Sequence, residues 1–345
     1  MKKKGASASV LLIYTGGTIG MIEDARSGEL RPFDFKALTS QIPELTKIDV
    51  RLSSLSFNEP IDSSNMHPVV WTKLARMIAE QYENYDGFVI LHGSDTMSFT
   101  ASALSFMLGN LRKPVVLTGS QLPIGVIRTD GKENLITAIE IAAARYKNQA
   151  RVPEVCIYFE YKLYRGNRTF KFNSQHFDAF RSPNYPALAE AGVTITYHPS
   201  AIRLPGKGKL QLQDNLENDI TVLKLFPGIS KKITSAILNT PGIKAVILET
   251  FGAGNASTEE WFIEALRETI SRKVIILNIT QCQEGKVIQG MYETSSQLKK
   301  IGVISGADMT FESAVTKLMS LLGRKLSVKQ IEKHLQEDLQ GELTK

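Results

Sequence analysis

The sequence predicts an α/β protein with two α/β domains: a larger N-terminal one built on a mostly parallel sheet with flanking helices, and a smaller C-terminal one. Three observations lead there. Short apolar runs, such as residues 10–14 and 88–91, read as buried strands. They alternate with stretches whose apolar residues recur at helical spacing, which is the pattern of βαβ units. Each run ends in a cluster of Gly, Ser, Thr or Asp. Strand ends in open α/β sheets are where ligands bind.

The first strand, 10–14, stops at Thr15, and Gly16-Gly17-Thr18-Ile19-Gly20 follows. Glycines let the backbone turn sharply and approach a ligand closely. Residues 21–32 are polar and charged (Glu23, Asp24, Arg26, Glu29, Arg31) and read as a lid or as a plain surface loop. A short helix is expected over 34–41 and a strand over 48–55. Asp62-Ser63-Ser64-Asn65-Met66-His67-Pro68 combines short capping side chains with a proline near a first turn, so it reads as a turn and helix start. Val70, Leu74, Met77 and Ile78 carry that helix through Glu80. The strand 88–91 ends in His92-Gly93-Ser94-Asp95-Thr96, and a helix over 99–111 follows. Strand 115–118 ends in Gly119-Ser120-Gln121-Leu122-Pro123. A helix runs from Asp130 to Ala144, and Pro153 leads into a strand over 155–159.

Residues 181–228 are rich in proline and glycine, which puts a boundary near 200–220. The expected layout is a domain over 1–200 that carries the catalytic candidates, a linker over 201–220 and a second domain over 221–345. In the second domain a strand over 245–249, a helix over 258–270, a strand over 274–279 and helices near 310–322 and 328–338 are expected.

Composition narrows the function classes. Hydrophobic residues make up 43% and charged residues 22% of 345, ordinary for a globular protein with a sizeable core. The net charge of +6 includes Lys2, Lys3 and Lys4 at the terminus. Isolated pairs such as Lys231-Lys232 and Lys299-Lys300 read as solvated faces. No basic tract carries interleaved aromatics, which argues against a nucleic-acid partner. Cys156 and Cys282 both lie in or beside apolar runs and read as small buried thiols. Metal-ligand spacing is absent, so no metal or cofactor is expected. The three lysines and short apolar run at the N-terminus mimic a signal peptide, but Ser7 and Ser9 interrupt the run and no small-residue cleavage site follows. No apolar stretch is long enough to cross a bilayer. The expectation is a reduced, cytoplasmic protein without a membrane partner.

The chemistry lies in the polar clusters. A threonine or serine attacks a carbonyl only if another group takes its proton. A lysine can do so if its pKa falls, with a carboxylate to position it. Backbone N–H groups then stabilise the oxyanion. Thr15, the Ser94-Asp95 pair and Lys171 supply those types. Taken singly, Thr15-Gly-Gly also reads as a turn, Ser94-Asp95 as a helix cap and Lys171 as a surface lysine. None of the five histidines sits in a Ser-His-Asp context, and His92 reads as structural.

Tyr14-Thr-Gly-Gly-Thr-Ile-Gly20 and Leu91-His-Gly-Ser-Asp-Thr96 resemble the paired signatures of the bacterial-type L-asparaginases, and the resemblance runs from about Val10 to Leu322. Asp62-Ser-Ser-Asn-Met66, Thr118-Gly-Ser-Gln121, Tyr164-Arg-Gly-Asn-Arg-Thr169 with Lys171, and Gly252-Ala-Gly-Asn255 also match. The Arg-Gly-Asn-Arg-Thr segment is similar to the cytoplasmic type I branch. The resemblance implies hydrolysis of L-asparagine to aspartate and ammonia through an acyl-enzyme. It implies Thr15 as nucleophile, Ser94 as second catalytic hydroxyl, and Asp95 and Lys171 as its partners. Asp95 would also hold the substrate's α-amino group, and Asp62, Ser63 and Ser64 its α-carboxylate. It further implies a homodimer or homotetramer.

Three positions depart from the family pattern. Ser94 stands where the family usually has threonine. Residues 21–31 lack the tyrosine that many relatives use to activate the nucleophile, which leaves Tyr292, in the second domain, as the candidate substitute; Asn255, like it, would act across an interface. Tyr14, adjacent to Thr15, should face the other way in a strand. Some cytoplasmic members carry a separate asparagine-sensing site. Thr280 and Cys282 match it, but Phe170 and Glu249 replace a hydroxyl and an arginine. Without the arginine a regulatory carboxylate lacks its best partner, so no activation by asparagine is expected. The rival readings are a non-catalytic amino-acid-binding or sensing module, a nucleotide-binding enzyme and a component of a tRNA-dependent amidotransferase. The nucleotide reading fails because neither glycine signature is present. The amidotransferase component normally carries an extra N-terminal domain, whereas here the strand begins by Ser9.

Overall fold

The first apolar run forms the strand β1 (Ala8–Tyr14), buried on both sides from Ser9 onward. A strand with no exposed face must be covered by helices on each side, and that is how a parallel sheet survives in water. The computed structural model describes residues 7–23, 30–32, 42–290 and 293–344. The chain divides into two compact units, 1–214 and 215–345.

In the first unit β1 is followed by β2 (Val50–Ser56), β3 (Gly87–Leu91), β4 (Val115–Thr118), β5 (Val155–Phe159), β6 (Lys162–Arg165), β7 (Ala189–Ala191) and β8 (Ile195–Tyr197). They make one eight-stranded sheet in the order β8-β7-β6-β5-β4-β3-β1-β2. The five strands from β5 to β2 are parallel, and β6, β7 and β8 continue antiparallel at one edge. Helix α1 (Pro68–Gln81) begins with proline at its first turn and buries Val70, Trp71, Leu74 and Ile78. Helix α2 (Met97–Met107) is buried along nearly its whole circumference, as a helix without a polar face must be. Helix α3 (Gly131–Ala143) covers one sheet face, where Leu135, Ala138 and Ile139 meet Val10, Leu12, Val89 and Tyr158.

The second unit carries the parallel sheet β9 (Ile220–Lys224), β10 (Ala245–Thr250), β11 (Ile275–Thr280) and β12 (Ile304–Ser305), in that order. Helices α4 (Lys231–Leu238), α5 (Glu260–Ser271) and α6 (Glu293–Ile301) contribute Leu238, Phe262, Leu266 and Leu298 to a core with Leu223, Val246, Leu248 and Ile276. Helices α7 (Phe311–Leu322) and α8 (Val328–Leu335) end the chain, and α7 packs on β10 and β11. Lys317 on α7 is fully buried against Glu342, at 2.5 Å, and donates to the carbonyls of Leu335 and Glu337. Among the described residues no helix is long and apolar enough to cross a membrane.

Several expectations need correction. Part of the expected polar loop pairs as two short strands, Met21–Glu23 with Leu30–Pro32; residues 24–29 and the helix expected over 34–41 lie outside the described residues. The helix expected over 99–111 ends at Met107, because Leu108–Gly109 pair instead with Gln211–Leu212 and Asn110 turns left-handed at φ 58°. That pairing gives the stretch read as a linker an ordered contact of its own. Cys156 is buried as expected, but Cys282 is exposed: it lies just past the end of β11, where the chain has left the sheet.

Candidate active site

Parallel strands in register deliver their following loops to one edge of the sheet. β1 pairs with β3 so that Tyr14 faces Leu91, and the ladder continues one step further: Thr15 N–H donates to the Leu91 carbonyl at 3.1 Å. Thr15 is 1% exposed, and its hydroxyl donates to the same carbonyl at 3.0 Å. The Ile61 N–H donates to the Thr15 carbonyl at 2.8 Å, bringing the Asp62–Ser64 segment to the same place.

Two close approaches to backbone and one to a side chain explain the glycines. A Cβ on Gly16 would sit 2.1 Å from the Ile61 oxygen, one on Gly17 2.4 Å from the Gly93 nitrogen, and one on Gly93 2.5 Å from Ser63 Oγ. Gly16 and Gly17 also hold φ of 134° and 89°, which side-chain-bearing residues rarely adopt. So the loops after β1 and β3 and the segment at 61–63 converge at a spacing that only glycine permits.

His92 secures the middle loop. It is wholly buried, and its Nδ1 donates to the Gly93 carbonyl at 2.6 Å. With that proton on Nδ1, Nε2 accepts from Thr100 Oγ1 at 2.8 Å, and the Trp71 indole donates to the same hydroxyl at 3.0 Å. Burial pushes the His92 pKa down to about 4, so the ring is neutral and structural.

Beyond His92 the side chains converge. Lys171 Nζ donates to Ser94 Oγ at 2.9 Å and to Asp95 Oδ1 at 2.7 Å. Lys171 is held by the two-residue strand Phe170–Lys171, paired antiparallel with Phe180–Arg181. The cap reading of Ser94 and Asp95 is corrected: the N-cap of α2 is Thr96, whose hydroxyl donates instead to the Ser63 carbonyl at 2.7 Å. Ser94 in turn donates to Gln121 Oε1 at 3.3 Å. Gln121 was not among the site residues expected from sequence. Its signal was its place in the polar cluster after β4. Its backbone N–H and that of Leu122 donate to the buried Asp130 carboxylate, and its side-chain amide donates to the His176 carbonyl at 3.0 Å.

Asp62 caps a single 3-10 turn, Ser63–Asn65, and not the following helix, whose N-cap is His67. The Ser64 N–H and hydroxyl donate to Asp62 Oδ1 at 2.9 and 2.8 Å, and these bonds hold the Asp62 carboxyl below the usual carboxylate range. Asp62 and Ser64 are exposed, while Ser63 is buried. Tyr14 is turned away from this cluster: its hydroxyl donates to the Gly20 carbonyl at 3.2 Å, and burial pushes its pKa up to about 12. Tyr292 lies outside the described residues.

In the second unit Thr280 donates to the Gly252 carbonyl at 2.6 Å and accepts from Cys282 N–H at 3.0 Å. Glu249 faces Lys224 across the β9–β10 pair, 3.5 Å from its ammonium. A carboxylate, already paired with a lysine, therefore stands at position 249. Among the described residues no cluster of three or more His, Cys, Asp or Glu could hold a metal ion.

The comparisons with known proteins agree with this architecture. A family model described as "Asparaginase, N-terminal" matches residues 9–203, and one described as "Glutaminase/Asparaginase C-terminal domain" matches 219–335. The chain is 41% identical to L-asparaginase 1 of Escherichia coli K12, with 100% of this chain and 99% of that protein covered. It is 32% identical to a Glutamyl-tRNA(Gln) amidotransferase component of Thermococcus kodakarensis, covering 100% of this chain and 78% of the relative. The crystal structure of L-asparaginase I from Vibrio cholerae superposes with a TM-score of 0.90 at 39% identity, covering 98% of this chain and 100% of that one. The strand-end loops, the glycine-mediated crossings and the matches to both domain models have one reading: this chain belongs to the asparaginase family.

Proposed function

We propose that the protein hydrolyses L-asparagine to L-aspartate and ammonia. The observation that carries the reading is the Lys171 ammonium held between Ser94 Oγ and the Asp95 carboxylate, in a loop that touches the one presenting Thr15, within a chain of this family. Thr15 Oγ1 attacks the side-chain amide carbon, and the tetrahedral intermediate collapses to an ester on Thr15 as ammonia leaves. Water then cleaves the ester and returns the proton to Thr15. Ser94, with Lys171 behind it, moves the proton between nucleophile, leaving group and water. Asp95 receives the substrate's α-ammonium. Ser63 and Ser64 receive its α-carboxylate, Ser64 turning its donors from Asp62 to the substrate. A small zwitterion needs an anion for its amine and N–H or O–H donors for its carboxylate, and these loops supply both.

The working form is read as a cytoplasmic homodimer or homotetramer, with Tyr292 as the further candidate for activating Thr15. With Glu249 and Phe170 in place, asparagine does not activate the enzyme through a second site. A sigmoidal rate curve that becomes hyperbolic when Thr280 is mutated would overturn that statement.

Steady-state ammonia release with asparagine and glutamine, on wild type, Thr15→Val and Lys171→Met, tests the assignment. Turnover is expected in the wild type, with at least about a hundredfold loss in each variant. Equal activity in all three refutes the site. Binding of asparagine without ammonia release would favour the amino-acid-binding alternative. Ammonia release that depends on a charged tRNA would favour the amidotransferase alternative, to which the Thermococcus relative points.

A further inference from the structure

We propose a second ligand site at the opposite end of the N-terminal sheet, a cavity that binds the phosphate group of a small molecule. Strand β3 joins the two places: Asp86 precedes it and lines the cavity, while His92 to Asp95 follow it in the candidate active site. The cavity holds about 380 Å³, within the range of small-molecule sites. Three cationic side chains line it, Arg112 and Lys113 from the turn before β4 and Arg145 from a hairpin. Asn148 and Gln149, in the turn and return strand of that hairpin, add two amides, Asn148 in the left-handed conformation at φ 63°.

The charge balance favours an anion. Asp86 is the one carboxylate on the lining, and its capacity is spent. One of its oxygens accepts the Ser9 N–H and hydroxyl at 2.8 and 3.1 Å, and the other pairs with Arg145. The carboxylate nearest Arg112 is Glu83, at 4.0 Å, too long for a hydrogen bond. Lys113 is held by the Tyr82 and Tyr85 carbonyls and lies over the Tyr82 ring at 4.7 Å, neutral partners that fix its position without an ion pair. Burial lowers the Lys113 pKa; Glu83 and Asp86 oppose the shift, while the nearby positive charges of Arg112 and Arg145 reinforce it.

The donor set selects the ligand class. Guanidinium forks match the oxygens of a phosphate as they do a carboxylate, and three cationic side chains against one spent carboxylate suit a dianion better than a monoanion. Arg112 and Arg145 are 44% and 40% exposed, so a ligand reaches them without a large rearrangement. A plain solvated basic face would be convex, whereas these groups border one concavity.

The test uses the full-length protein, with inorganic phosphate and glucose 6-phosphate as probes, at ionic strength held constant with chloride. Calorimetric titration and thermal melting are read for wild type, Arg112→Gln and Lys113→Met. Saturable binding, with a rise in melting temperature that either variant weakens at least tenfold in Kd, supports the site. Tighter binding of the ester marks a phosphorylated metabolite as the ligand, and equal binding marks free phosphate. Heat and melting shifts that chloride reproduces, or that both variants retain, overturn it. Arg112→Gln alters a half-exposed side chain, so it keeps the test open if Lys113→Met does not fold. The readout is binding, so the result is independent of whether the protein hydrolyses asparagine.

Discussion

Replacing Lys171 with methionine separates a chemical role from a structural one, because the structure predicts very different sizes for the two effects. The Asp95 side chain is 63% exposed, so it is rehydrated when its partner is lost. Lys171 itself is only 16% exposed, but the charge left behind in the variant is the solvated one, so losing the pair costs about 0.2–1 kcal/mol. Losing the hydrogen bond to Ser94, which keeps its contact with Gln121, costs about 1 kcal/mol more. Together that is at most about 2 kcal/mol, or roughly 3 °C in melting temperature for a chain of this size. Loss of a positioned proton-transfer group costs about 10²- to 10⁴-fold in kcat, equal to roughly 3–5 kcal/mol in the barrier. Lys171→Met should therefore melt within a few degrees of the wild type yet lose at least a hundredfold in turnover. The assays are steady-state ammonia release and calorimetric melting on the same preparation. A folded variant that keeps kcat within tenfold of wild type would show that Lys171 only braces the loop.

The other predictions concern stability. Removing the buried Lys317 strands Glu342 in a dry site, so Lys317→Met should cost about 3–5 kcal/mol in urea denaturation, and adding Glu342→Gln should recover most of it. Burial raises the Glu312 pKa to about 7. Its contribution to stability is thus present below its ordinary value near 4.5 and lost as pH rises through 7. Glu312→Gln should stabilise the fold by up to about 3 kcal/mol at pH 8 and leave it unchanged at pH 4. His92 carries the opposite sign: the unfolded chain takes up its proton near pH 6.5, and the folded protein only near 4. Stability should fall by about 3 kcal/mol as pH drops across that window, and a His92→Gln variant measured by denaturation at several pH values should lose that slope. If the slope persists in the variant, another group titrates.

The parts of the fold that were legible in the sequence are those where one physical demand dominates. β1 and β3 announce themselves because strands buried on both faces have no polar positions. The antiparallel edge formed by β6, β7 and β8 does not, since strands of three or four residues take their register from their neighbours and not from their own pattern. β9 and α4 were missed for a related reason: β9 is half-buried, follows the proline-rich stretch and carries no periodic signal of its own. Charge misleads where it is buried. A lysine in a helix reads as a solvated face, yet Lys317 is fixed by a glutamate and two carbonyls from the chain's last residues. Cys282 misleads in the other direction, because proximity to an apolar run predicts burial only while the chain stays in the sheet. The candidate site was legible as a set of residue types, and its geometry was not. Nothing in the residue order says that Gln121 meets Ser94, or that Ser64 gives its donors to Asp62.

That geometry sharpens what remains for the chemistry to do. On the proposed assignment, the two hydroxyls are prepared to different degrees. Ser94 accepts from Lys171 and donates to Gln121, so both its proton and its lone pair are directed before substrate arrives. Thr15 instead gives its proton to the Leu91 carbonyl, an acceptor that has no basicity to remove it. Tyr14 offers no help, turned to Gly20 and with a pKa near 12. The resting loop therefore presents the Thr15 oxygen as an alcohol, and its hydroxyl must leave Leu91 for a basic partner before it attacks. The crossings at Gly16, Gly17 and Gly93 set the backbone for this rotation, because they fix the strand end and leave only the side-chain torsion to change. Activation of Thr15, and not the arrangement of Ser94 with Lys171, is then the step that substrate binding must complete. Groups that lower the turnover barrier should accordingly be sought among those that reach Thr15 Oγ1 when asparagine is bound.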